Sequence, residues 1–98
     1  MNVPFPSGLR EVKAVAELNI HGVRCFAYIK DGRYVLSDYV TGRWLGESVS
    51  IAAATRRAYV KIREVAKKLN VEPREALHKQ VAEWVAKDGV VNAPAVVQ

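Results

Sequence analysis

The stretch TRRAYVKIREVAKKLN, residues 55–70, concentrates side chains that could bind phosphate groups. It holds six of the fifteen basic residues of the 98-residue chain and a single acidic residue, Glu64. Guanidinium and ammonium groups clustered along one segment are typical of surfaces that neutralise a nucleic-acid backbone. The candidate phosphate-binding residues of this segment are Arg56, Arg57, Lys61, Arg63, Lys67 and Lys68.

A helix from about residue 49 to residue 69 would position these cations. Ser48 or Ser50 can cap its start, and Asn70 can adopt the left-handed conformation at its end. At 100° per residue, all six cations point away from the apolar stripe of this helix. The same pattern would also arise on the solvated side of a helix that packs on a sheet. The stripe contains Ile51, Ala54, Thr55, Ala58, Ile62, Val65, Ala66 and Leu69.

Three strand-like runs precede this helix: REVKAVAELNI, VRCFAYIK and RYVLSDYV. His21-Gly22 and Asp31-Gly32 separate them, and Asp-Gly between β-rich runs indicates a two-residue hairpin turn. Counting outward from the turns predicts the register and an apolar core face, on which Asp38 is the exception. We expect an antiparallel meander of three or four strands, the fourth around Trp44.

The opposite face of the meander combines aromatic rings with cations, which is the composition of a stacking platform for single-stranded nucleic acid. Alternatively, the last helix or a second subunit covers these rings, because an exposed apolar cluster would be costly on a monomer. The residues assigned to the platform are Arg24, Phe26, Tyr28, Lys30, Arg33 and Tyr39.

Few residues are arranged for catalysis or metal binding. Cys25 is the only cysteine and lies in an apolar run, so we expect a buried thiol. His21 and His78 lack the spacing of a metal motif. The sequence contains no Gly-rich phosphate loop, nucleophile elbow or paired-carboxylate motif. We therefore expect a protein that is not an enzyme and has no metal or cofactor.

Length and composition predict one domain of the α+β class. Half of the residues are apolar, and the net charge is +5. We expect a flexible arm over 1–9, the meander over 10–46, two helices over 48–88 and a tail over 89–98. The long amphipathic helix would lie on one face of the sheet, followed by a shorter C-terminal helix. Without a signal-peptide pattern or a run of about 20 apolar residues, we expect a cytoplasmic protein with no membrane contact.

The stretch VAKKLNVEPREALHKQVAEWV, residues 65–85, resembles the two-helix part of ribbon-helix-helix repressors and antitoxins. The resemblance rests on an apolar-Ala pair, a helix end with Leu-Asn-Val, a short turn, and then Glu-Ala-Leu and Trp-Val. In that family a dimer inserts paired strands into the major groove, and the start of the second helix contacts a phosphate. The resemblance implies a small DNA-binding regulator, with Val71, Glu72 and Pro73 as the phosphate-contacting turn.

These patterns lead to two hypotheses about function. The first is a small nucleic-acid-binding or regulatory protein that uses the basic face of the long helix. The second is a non-enzymatic interaction module with a protein partner, most simply a homodimer through the outer sheet face or the C-terminal helix.

Overall fold

A computed structural model describes residues 1–92 and confirms the α+β fold, with six strands and two helices among these residues. The prediction of a tail over 89–98 falls mostly on residues 93–98, which lie outside the described residues. The strands are β1 (Asn2–Phe5), β2 (Gly8–Glu11), β3 (Ala16–Ile20), β4 (Val23–Lys30), β5 (Arg33–Asp38) and β6 (Trp44–Ser48). The helices are α1 (Ile51–Leu69) and α2 (Pro73–Asp88).

Strands β3 to β6 form the predicted antiparallel meander, in the order β3-β4-β5-β6. Its register is the predicted one, with Ile20 opposite Val23 and Ala27 opposite Leu36. Both turn dipeptides have positive φ at each residue, as a tight hairpin of this kind requires. The hairpin signals in the sequence therefore predicted the central sheet correctly.

The buried carboxylate of Asp38 serves the turn that follows β5. Its Oδ2 accepts hydrogen bonds from the backbone N–H of Thr41, at 2.9 Å, and from the Thr41 hydroxyl, at 2.5 Å. A short polar side chain that bonds its own turn in this way stabilises the turn conformation. The one polar residue on the predicted core face thus has a local structural role.

Helix α1 begins two residues later than expected and has the predicted caps. The Ser50 hydroxyl accepts a hydrogen bond from the Ala53 N–H at 3.1 Å, and Asn70 is left-handed, with φ 56°. The Val71 N–H then bonds the Ala66 carbonyl at 3.0 Å. Pro73 opens α2, where its missing N–H costs nothing.

Small residues let α1 approach the sheet closely. Ala54, Ala58 and Ala66 are buried along its inner side. At Gly46 on β6, an added Cβ would lie 3.0 Å from the Ala54 carbonyl oxygen, so a larger residue would push the helix away. This contact sets the distance of α1 from β6 and turns the opposite side of the helix outward.

The expectation of a flexible arm over 1–9 is wrong, because β1 and β2 pair as an antiparallel hairpin. Pro4 is tolerated in β1 because the strand pairs on one side only within the described residues. The run REVKAVAELNI, read as one strand, is accordingly divided between β2 and β3. Residues 12–15 lead the chain from the hairpin to the central sheet.

The central sheet is covered on both faces. Helices α1 and α2 cover one face, burying Ile20, Cys25 and Leu36 among other residues. The β1–β2 hairpin covers the other face, where Val3 packs with an aromatic cluster. That second buried cluster consists of Val3, Phe26, Tyr28, Val35 and Tyr39.

Asn92 joins the carboxy-terminal end of the described chain to the hairpin. Its Oδ1 accepts a hydrogen bond from the Asn2 N–H at 2.7 Å. Its Nδ2 donates to the Asn2 carbonyl at 2.8 Å and to the Tyr39 carbonyl at 3.0 Å. The buried Asn92 amide therefore holds β1 against the end of β5.

Candidate nucleic-acid interface

The outward side of α1 carries the six basic residues that were predicted to bind phosphate, and all six are exposed. Val60 lies among them, directly opposite the buried alanines, and is 45% exposed. The residues span about 18 Å of helix, at 1.5 Å per residue. They are Arg56, Arg57, Lys61, Arg63, Lys67 and Lys68, here called the α1 basic face.

The charges of the α1 basic face are not neutralised within the described chain. The ion pairs among residues 1–92 are Arg24–Glu17, Arg33–Glu47 and Arg43–Asp88, and none involves α1. Lys61 is the member with a specific contact, since its Nζ lies 4.4 Å from the ring centroid of Trp44. The remaining five cations are therefore available to an external anion.

An open depression lies beside this face, between α1 and the end of β6. Arg56, Arg57 and Lys61 line it together with Ser48 and Glu64. Glu64 is the one carboxylate among the residues that line it. Three cations against one carboxylate leave the depression with an excess of positive charge, which favours an anionic ligand.

The predicted stacking platform on the sheet is wrong, because the hairpin covers its rings. Phe26 is 0% exposed, Tyr28 6% and Tyr39 8%. Tyr28 has a pKa raised above its ordinary 10.0, chiefly by burial. A base cannot stack on rings that are already packed under β1 and β2.

The cations assigned to that platform contact groups of the protein itself. Arg24 pairs with Glu17 at 2.9 Å and lies 3.8 Å from the Tyr39 ring centroid. Arg33 pairs with Glu47 at 3.2 Å. The Lys30 Nζ lies 4.8 Å from the Phe5 ring centroid. The structure therefore does not join Arg24, Lys30 and Arg33 to the α1 basic face.

The hairpin also occupies the outer sheet face through which a dimer was expected, so the rings of that face are not exposed to a second subunit. On α2, Val81 and Trp84 pack against the core, whereas Lys79, Glu83 and Lys87 are exposed and charged. Dimerisation through α2 remains a prediction.

The turn between the helices has few groups to offer a phosphate. The Val71 N–H is bonded to the Ala66 carbonyl, and Pro73 has no N–H. Glu72 is exposed and anionic, and its side chain caps nothing. The likeness to ribbon-helix-helix proteins remains a prediction, and this turn is not part of the candidate interface.

The cysteine and the two histidines considered for catalysis or metal binding contact other groups of the protein. Cys25 is fully buried, and burial, with the charge of Asp38 as a smaller cause, raises the pKa of its thiol from 9.0 to about 12. A His78 ring nitrogen lies 2.8 Å from the His21 carbonyl oxygen. Residues 1–92 contain no group of three or more His, Cys, Asp or Glu side chains that could hold a metal ion.

Two tryptophans are close to the α1 basic face, although neither was predicted to belong to a nucleic-acid site. Trp44 on β6 and Trp84 on α2 line one cleft with Lys61. They are forty positions apart, so their proximity depends on how α2 folds back. The only signal in the sequence is that these are the two tryptophans of the chain.

Neither helix of the described chain is long and apolar enough to cross a membrane. No family model, curated protein or solved structure matches the chain.

Proposed function

We propose that the protein binds nucleic acid through the α1 basic face. The observation that carries this proposal is the set of exposed cations on one side of α1, of which only Lys61 has a specific contact within residues 1–92. Lysine and arginine side chains that neutralise phosphates release counterions, and this release supplies much of the binding free energy. A row of cations about 18 Å long can follow several successive phosphates.

The charge distribution along the chain supports the same proposal. Residues 47–70 contain six basic and two acidic side chains, a net charge of +4, whereas the whole chain has +5. A surface that serves solubility alone usually mixes both signs. Concentration of the excess on one helix favours a polyanionic partner.

The test is a fluorescence-anisotropy titration of labelled single-stranded and duplex DNA and RNA at several salt concentrations. In the test variant Arg56, Arg63 and Lys67 are replaced by Ala. We expect weaker binding and a lower salt slope. The slope should fall by about 2 for a single strand and about 3 for a duplex, at roughly 0.7 and 0.9 per phosphate contact.

A matched control removes the same charge elsewhere. Lys13, Lys79 and Lys87 are exposed and lie off α1, so their replacement by Ala lowers the net charge equally. We expect this control to keep most of the salt slope. Equal slopes for the two triple variants would show that only net charge matters, and no binding by the unmodified protein at low salt would overturn the proposal.

A further inference from the structure

A small cleft lies where β6, α1 and α2 meet. Its walls include Trp44, Lys61, Gln80 and Trp84, and aliphatic side chains such as Val65. Its volume is about 80 Å³, well below the roughly 300–1,000 Å³ typical of small-molecule sites. The cleft therefore suits part of a ligand, such as one ring, better than a whole cofactor.

Lys61 joins this cleft to the α1 basic face. It lines both the cleft and the adjoining depression that contains Arg56 and Arg57. Its Nζ lies 4.4 Å from the Trp44 ring centroid, so cation and aromatic ring are in contact at the boundary. A ligand at this boundary would meet positive charge on one side and aromatic surface on the other.

Trp44 is held in place and yet accessible. Its indole N–H donates a hydrogen bond to the Glu47 carboxylate at 3.3 Å, and the residue is 44% exposed. Trp84 is partly buried and packs against the main core. An exposed indole fixed by a hydrogen bond offers an aromatic surface at low entropic cost, which suits stacking.

Resting on the proposed function, we propose that this cleft takes an unpaired base of a single-stranded nucleic acid. The base stacks on the Trp44 indole in place of the Lys61 ammonium group, which lies over that ring in the free protein. Lys61 then contacts a flanking phosphate together with Arg57. Charge complementarity favours this occupant, because an apolar side chain from a protein would gain nothing from the adjoining cations. Duplex ligands would not use the cleft, since their bases are paired and stacked inside the helix.

Intrinsic fluorescence tests this directly, because both tryptophans of the chain line the cleft. A short single strand of thymidines and a duplex of equal length are titrated at low salt, and their anisotropy is recorded in parallel. We expect the single strand to quench the tryptophan emission, and the duplex to leave it nearly unchanged.

Two variants separate stacking from charge. Base stacking on an aromatic side chain corresponds to roughly five- to hundredfold in affinity. Trp44→Leu should therefore weaken single-strand binding by such a factor without changing the salt slope, and Trp44→Phe should retain most of the affinity. Thermal unfolding of both variants checks that they are folded.

The outcomes distinguish the two proposals. Single-strand binding that neither quenches emission nor weakens in Trp44→Leu would overturn the cleft proposal and leave the α1 basic face as the binding surface. Absence of any binding would overturn both. Self-association that sedimentation detects and Trp44→Leu abolishes would show that a second copy of the chain fills the cleft, and would likewise refute the base site.

Discussion

Replacing Val3 with Ala tests whether the β1–β2 hairpin is part of the folded core. Val3 is 1% exposed and packs against the aromatic cluster of the sheet. The change removes two buried methyl groups, which corresponds to a loss of about 1.6 kcal/mol of hydrophobic stabilisation at roughly 0.8 kcal/mol per buried carbon. The cavity left behind raises the expected loss in the free energy of unfolding to about 2–3 kcal/mol.

Circular dichroism during urea and thermal unfolding measures this loss. For a domain of this size, about 2–3 kcal/mol corresponds to a fall in Tm of roughly 10–20 °C. Leu9→Ala is the matched control, because Leu9 lies on β2 and is 59% exposed, so its truncation should cost less than about 1 kcal/mol. If the two variants unfold alike, the hairpin is not packed as described and the aromatic face is available after all.

Two further changes give expected outcomes. At Gly42, φ is +69° and an added Cβ would overlap the Asn2 carbonyl oxygen, whereas at Gly32 φ is +74° and the space is open. Gly42→Ala should therefore destabilise the fold more than Gly32→Ala. Equal urea midpoints for the two variants would contradict the close approach of Gly42 to Asn2. The raised pKa of Cys25 favours the folded state while the thiol is protonated, so this stabilisation is present below pH 9 and is lost between about pH 9 and 12. Urea unfolding at several pH values should therefore show a shallower loss of stability at alkaline pH in Cys25→Ala than in the unmodified protein. Identical pH profiles for the two proteins would contradict the raised pKa of Cys25.

Local signals predicted the central sheet and the helix ends. The two hairpin turns require positive φ at both residues, and few dipeptides other than Asp31-Gly32 and His21-Gly22 adopt it at low energetic cost. The turns therefore determined the register of three strands. Ser50 and Asn70 form hydrogen bonds with backbone groups at most four residues away, so their capping roles could also be predicted from the sequence. The outward direction of the α1 cations followed from the same helical periodicity.

Features that depend on distant contacts could not be predicted. The prolines Pro4 and Pro6 suggested a loose arm, and nothing local indicates that Val3 packs on Phe26, more than twenty positions away. The composition of the outer face fitted a stacking platform and a buried cluster equally well. The cleft between Trp44 and Trp84 exists only once α2 folds back on α1.

The Asn92 bridge has a consequence for the order of folding. Neighbouring strands of the meander pair through short turns, whereas the hydrogen bonds from Asn92 to Asn2 join residues 90 positions apart. Closing so long a loop costs more entropy than forming a hairpin, so the bridge should form after the sheet and α1 have assembled. Contacts made after the transition state slow unfolding without speeding folding. We therefore expect that removing these hydrogen bonds, as in Asn92→Ala, speeds unfolding and leaves the folding rate nearly unchanged.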